Sequence, residues 1–236
     1  VFNFCGWEPS YSDIDNAKNE GIWNNDWDLS LEFTRRYINK KKLKKKLPSR
    51  EEIIKCFEGF YYGGDPRKNI KNCSGFINNE ELLVKKEFFE SLYKRGINWG
   101  FVSGAELVSA KYVLEEKLQL KAPPLIAMGD APDKPDPTGF IFLSEKLSKR
   151  KLGASNIPIA YVGDTIADIQ TVINARKQIP NQNFISIGVA PPHLHLKSRK
   201  EERIFYESKL KDAGADFIIN SVKDLLNFDL KFVDRY

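Results

Sequence analysis

The sequence predicts an α/β protein in which a helical module precedes a parallel, helix-covered sheet. Two observations carry that prediction. Beyond Gly96, short apolar runs alternate with helix-patterned segments, as parallel strands joined by crossover helices do. Before Gly96, a stretch rich in Asn, Lys and aromatic residues reads mostly as helices.

Each element has its own signal. Ser12 precedes Asp13, Ile14 and Asp15, an N-cap followed by acids in the first turn. Asp28 to Ile38 sets Leu29, Leu31, Phe33 and Tyr37 at mixed helical spacing. Ser49 with Glu52 is a capping box ahead of Ile53, Ile54, Cys56 and Phe57, and Gly63-Gly64-Asp65-Pro66 ends that helix. Glu80 to Lys94 predicts another helix, closed by Gly96. The first strand is then expected at Trp99–Val102 and the second at Leu125–Met128, with a helix over Glu106–Leu118 between them. A helix around Phe140–Leu147 leads to a third strand at Ile159–Val162, and Ile166–Lys177 is helical again. Strands at Phe184–Ile187 and Phe217–Ile219 flank a long loop and a helix near Glu201–Asp212. Ser221 caps a short final helix, and the chain has no internal repeat.

Composition narrows the function classes. At 42% hydrophobic the chain has ample mass for a core, which excludes disorder as its main character. No stretch approaches the roughly 18 consecutive apolar residues of a membrane span. Lys+Arg number 37 against 32 Asp+Glu, a net charge of only +5. The basic run Lys40 to Lys46 lacks interleaved aromatics, so it reads as a solvated surface rather than a nucleic-acid or membrane patch. Cys5, Cys56 and Cys73 are odd in number and in no metal-ligand spacing, and read as small buried hydrophobes. No segment at the start resembles a signal peptide, so the expected location is the cytoplasm. Residue 1 is Val and the single Met is Met128, so the chain is expected to begin inside a longer natural one or after processing.

In parallel sheets of this kind, ligands bind at the carboxyl ends of the strands. After the first strand comes Ser103-Gly104, where a hydroxyl and backbone N–H groups before a helix suit a phosphate. Ahead of the third strand lies Asp133-Lys134-Pro135-Asp136-Pro137, whose lysine offers a fixed positive charge to phosphoryl oxygens. The third strand runs into Gly163-Asp164-Thr165-Ile166-Ala167-Asp168. Its two carboxylates, four residues apart, are expected on one helical face, with Asp164 at the strand tip, and suit Mg²⁺.

In this order the motifs resemble the haloacid dehalogenase superfamily of phosphohydrolases, with Ser103 as its second motif, Lys134 as its third and Gly163-Asp164-x-x-x-Asp168 as its fourth. The segments Gly21–Trp27, Trp99–Ala105, Met128–Pro132 and Lys134–Gly139 resemble a phosphoglycolate phosphatase-like branch of subfamily IA. The resemblance implies an α-helical cap over residues 1–86, N-terminally truncated, and a Rossmann-like core over 87–236 lacking its first strand. It implies a Mg²⁺-dependent phosphatase acting on a small phosphorylated metabolite through an aspartyl-phosphate, with no nucleic-acid or membrane partner. Ser103 would donate to the phosphate beside Gly104, Lys134 would pair with phosphate and nucleophile, and Asp164 would bind Mg²⁺. Asp168 would act through a metal-bound water or by orienting Lys134. A phosphomutase, or a non-catalytic binder of phosphate ligands, are the alternatives.

The family's nucleophile motif, Asp-x-Asp-Gly at the tip of a first strand, has no counterpart in the chain. Asp13-Ile14-Asp15 and Asp26-Trp27-Asp28 follow no apolar strand and lack the Gly; they read as helix starts. The missing strand is expected within roughly 20–30 residues upstream, judged by usual element lengths. It would be central, lying between the strands at Trp99–Val102 and Ile159–Val162. Asn24, Asn25 and Asp26 carry the amide and acid groups that a polyol or sugar phosphate needs, and are candidate substrate contacts. His193 and His195 read as a surface loop, and Tyr61-Tyr62-Gly63-Gly64 as core packing.

Overall fold

A computed structural model describes residues 1–23, 25–154 and 157–227. The chain divides into two compact units, Val1–Glu81 and Leu82–Tyr236.

The first unit is helical: α1 (Phe2–Cys5), α2 (Tyr11–Lys18), α3 (Asp26–Lys41), α4 (Arg50–Tyr61) and α5 (Pro66–Asn69). The cap of α2 is Ser10 rather than Ser12. Its hydroxyl accepts from the Asp13 N–H while the Asp13 carboxylate accepts from the Ser10 N–H, so the helix starts two residues earlier than its acids suggest. Ser49 and Glu52 make the same reciprocal pair at α4. Leu29 and Phe33 of α3 pack with Ala17, Trp7 and Trp23, and Trp7 stacks on Tyr37 at 5.1 Å. Tyr62 is buried, and the Gly75 N–H donates to its carbonyl across 2.8 Å. That close passage is possible because Gly63 and Gly75 carry no Cβ.

The second unit opens with α6 (Lys86–Lys94), six residues later than the run from Glu80 predicts. Within the first unit the Glu80 carboxylate accepts the Tyr61 hydroxyl, a contact that sequence periodicity does not encode. Among the described residues five strands follow, all parallel where paired. β1 (Phe101–Val102) lies beside β2 (Leu125–Ile126), and β3 (Ile159–Gly163), β4 (Phe184–Val189) and β5 (Phe217–Ile219) form a second sheet. The connections are α7 (Leu107–Lys111, widening into a π-helical turn at Tyr112–Lys117), α8 (Thr138–Ser148), α9 (Ile166–Gln178) and α10 (Lys200–Asp212). Among the described residues no ladder joins β1 to β3, the two strands between which a further strand was expected.

Helices cover the strands on both faces. Phe89 of α6 with Leu114 and Leu118 packs against Trp99, Phe101 and Leu125. Phe140 of α8 with Val172 and Ala175 of α9 packs against Val102, Tyr161 and Phe184. Val102 of β1 and Tyr161 of β3 thus share one apolar layer, although among the described residues no ladder joins their strands. The carboxyl ends of β1, β3 and β4 run into the loops that carry Ser103, Asp164 and the histidines.

Candidate functional site

The site of the second unit is built on Asp168. Thr165 caps α9, its hydroxyl accepting from the Asp168 N–H. One Asp168 oxygen accepts from the Thr165 hydroxyl at 2.8 Å, the Thr165 N–H at 3.0 Å and the Asp164 N–H at 3.2 Å. The other oxygen lies 2.6 Å from the Lys134 ammonium and 3.3 Å from the Tyr161 hydroxyl. Gly163 permits this packing, since a Cβ there would lie 2.5 Å from the Asp168 carboxylate carbon and 2.6 Å from one of its oxygens.

The pair is sheltered, with 3% of the Asp168 side chain and 15% of Lys134 exposed. Burial pushes the Asp168 carboxyl upward, but Lys134 and Thr165 outweigh it and hold it below the usual carboxylate range. Burial likewise opposes charge on Lys134, and Asp168 holds the amine above the ordinary lysine range. Burial and the neighbouring Asp168 charge raise the Tyr161 phenol. At neutral pH the three are therefore an ammonium, a carboxylate and a neutral phenol.

The loop bearing Lys134 is held from two sides. Asp136 accepts from the Thr138 N–H at the start of α8, and the Asn174 amide of α9 donates to the Pro135 carbonyl at 3.0 Å. Ser103 follows β1 directly. Its N–H donates to the Ile126 carbonyl at 2.8 Å, and its hydroxyl oxygen accepts from the Ala105 N–H at 3.0 Å. Ser103 and Gly104 thus form a turn, and helix α7 opens only at Leu107. Asp164 is exposed at the tip of β3, where its carbonyl accepts the Tyr206 hydroxyl at 2.7 Å. It stands before the Thr165 cap and outside the helix. Asp164 stands at the strand tip, as expected, and Asp168 in the first turn of α9; because Asp164 precedes the cap, the two carboxylates do not share a helical face.

The structure brings Lys134, Asp164 and Asp168 together and links Ser103 to them through its neighbour Val102, whose carbonyl lies 3.4 Å from the Tyr161 hydroxyl. The remaining candidates sit in the first unit. Asn25 caps α3, its side chain accepting from the Trp27 and Asp28 N–H groups, and Asp26 pairs with Lys18 at 2.7 Å. Asn24 lies outside the described residues. Beside them Trp23 donates to Glu20, and Arg36 sits over its ring. His195 of the loop after β4 contacts the Ala190 carbonyl at 3.1 Å.

Sequence reasoning missed Tyr161, Thr165 and Asn174 as parts of the site. The Thr165-x-x-Asp168 spacing is a capping signature and was readable. Tyr161 lies 59 residues from Val102 and 7 from Asp168, and Asn174 lies 39 from Pro135; these spacings belong to no capping or turn signature.

Mg²⁺ is bound by hard oxygen ligands, usually one or two carboxylates with waters and phosphates. Both Asp168 oxygens are committed to the contacts above. Among the described residues no group of three or more His, Cys, Asp or Glu side chains is placed to hold a metal ion. These residues do not by themselves make a Mg²⁺ site.

No family model matches the chain. Among curated proteins it is 28% identical over 217 residues to an imidazoleglycerol-phosphate dehydratase of Phytophthora nicotianae. That match takes in 91% of this chain and 43% of the relative, so the chain spans less than half of that protein's length. Among solved structures it is similar to a phosphonoacetaldehyde hydrolase-like protein from Oleispira antarctica, at TM-score 0.58 and 20% identity. The superposition covers 87% of this chain and 74% of that one. At this level of identity the likeness shows the fold alone, an architecture of helices and parallel strands.

Proposed function

We propose that the chain belongs to a phosphohydrolase of the haloacid dehalogenase superfamily that acts on a small phosphate monoester. The observation that carries this reading is the Lys134–Asp168 ion pair, buried at the carboxyl end of the strands next to Asp164. A sheltered ammonium in a low-dielectric pocket is a strong partner for a phosphoryl group, and phosphoryl transfer depends chiefly on positioning and charge neutralisation. Ser103 already accepts through its oxygen, so its O–H proton is the part that can donate to a ligand.

The nucleophile in this reading is an aspartate on a strand outside these 236 residues, seated between β1 and β3. The lack of a ladder between those strands among the described residues supports such a place. The aspartate oxygen would attack phosphorus as the ester oxygen leaves, giving an acyl phosphate and an alcohol. Water would then cleave the acyl phosphate to inorganic phosphate and the carboxylate. Lys134 would hold the phosphoryl oxygens throughout, kept in place by Asp168.

The test is hydrolysis of an aryl phosphate by the natural full-length protein. Wild type should turn it over, and Lys134→Ala should abolish turnover. Lys134→Arg should also fail, because a planar fork does not replace a compact ammonium held by one carboxylate oxygen. Wild-type rates in either variant would refute the role of Lys134 and the reading with it.

A further inference from the structure

We propose that Tyr206 is a positioning residue: by donating its hydroxyl to the Asp164 carbonyl, it fixes the direction in which the tip of β3 presents the Asp164 carboxylate. The proposal rests on the phosphohydrolase reading for what that carboxylate serves; the clamp itself stands on the geometry.

Tyr206 lies on α10, 42 residues beyond Asp164, and is buried. Its ring packs in the cluster that holds Ile166 and Ile169 of α9 with Leu194 and Leu210. A Phe would fill the same space. The hydroxyl is what needs explaining, because burying one costs free energy unless it finds a partner. It donates to the Asp164 carbonyl at 2.7 Å, the length of a good O–H···O bond.

That carbonyl lies just past the end of the sheet. The β3–β4 ladder closes with the pair Gly163 and Gly188, and Asp164 follows it, ahead of the Thr165 cap. The Asp164 carbonyl and the Thr165 N–H are the two polar ends of one planar peptide unit. Tyr206 holds the first, and an Asp168 oxygen accepts from the second at 3.0 Å. The preceding peptide unit gives its N–H, that of Asp164, to the same Asp168 oxygen at 3.2 Å. With both planes held, the two backbone dihedrals of Asp164 are held, and so is the direction of its Cα–Cβ bond. The Asp168 contacts are local to the cap, and Tyr206 adds a hold from a distant helix. None of these bonds depends on the spacing of β1 and β3, so a strand seated between them removes no partner named here.

The test is Tyr206→Phe in the natural full-length protein. The melting temperature should fall by only a few degrees, since the ring packing is kept. In hydrogen exchange the Thr165 amide should lose protection about five- to tenfold, the scale of one hydrogen bond, while Ile187 within β4 keeps its own. Turnover of an aryl phosphate should lose kcat about tenfold at unchanged KM, because Ser103 and Lys134 stay in place. Asp164→Asn should lose kcat too. Adding Tyr206→Phe to it should cost nothing further, since a residue acting through that carboxylate has no effect once the carboxylate is gone. Placing p-aminophenylalanine at position 206 restores a donor near the same atom and should restore protection and kcat. Unchanged Thr165 protection in Tyr206→Phe, wild-type kcat in Asp164→Asn, or losses that add in the double variant overturn the proposal. If wild type hydrolyses no phosphate ester and Tyr206→Phe still loses Thr165 protection, the phosphohydrolase reading falls and the clamp stands.

Discussion

Asp168 holds Lys134 from 34 residues further along the chain, at 2.6 Å, while its second oxygen closes the first turn of α9. The two duties predict unequal costs. Removing one partner of a buried pair typically costs about 3–5 kcal/mol. Asp168→Ala removes the pair and the capping carboxylate together and should reach that range in urea denaturation. Lys134→Met leaves the carboxylate with its donors at Asp164 and Thr165, so it should cost clearly less. Lys134→Met proving the more damaging would mean that Asp168 is not anchored as described.

Gly163 is the second lever on the same carboxylate. A methyl there would lie 2.3 Å from the Asp168 Cβ and 2.6 Å from one of its oxygens. Gly163→Ala should force Asp168 away, costing about 1–3 kcal/mol as overpacking does. In the natural protein it should also lower phosphate affinity by calorimetry. Unchanged stability and affinity would show that the loop relaxes at no cost.

The first unit should be acid-sensitive through Glu32. This carboxylate is nearly buried and meets Arg35 at 2.6 Å and Arg36 at 2.7 Å. Its hydrogen bond to Arg35 outweighs burial, and with Arg36 holds the group below its ordinary value of 4.5. A depressed folded pKa gives stability that is complete above that ordinary value and is lost as pH falls through the folded one. Wild type should therefore melt above Glu32→Gln at neutral pH, and the gap should narrow below pH 4.5. A gap independent of pH would remove the charge from the explanation.

Two glycines of the first unit should respond in opposite directions. Gly59 lies inside α4 with open space where a Cβ would go, so Gly59→Ala should stabilise by about 0.5–1 kcal/mol. At Gly75 a Cβ would fall 2.3 Å from the Tyr61 carbonyl and 2.4 Å from the Tyr62 carbonyl carbon, so Gly75→Ala should destabilise by about 1–3 kcal/mol. Thermal melts of both variants settle the signs, and a stable Gly75→Ala would place the crossing chains further apart.

Much of the molecule was legible because its signals are local. The strand and helix alternation beyond Gly96, the Ser49–Glu52 cap and the Gly163-Asp164-x-x-x-Asp168 turn follow from backbone preferences acting over a few residues. The motifs were also found in chain order at strand ends, since a parallel sheet places its loops there. Tertiary contacts decided the rest. The start of α6 at Lys86 and the contact of Tyr161 with the Val102 carbonyl depend on segments tens of residues apart. Periodicity tells each residue which side to bury, but only packing of the whole unit selects the partner it meets there, so the members of the site were readable and their couplings were not.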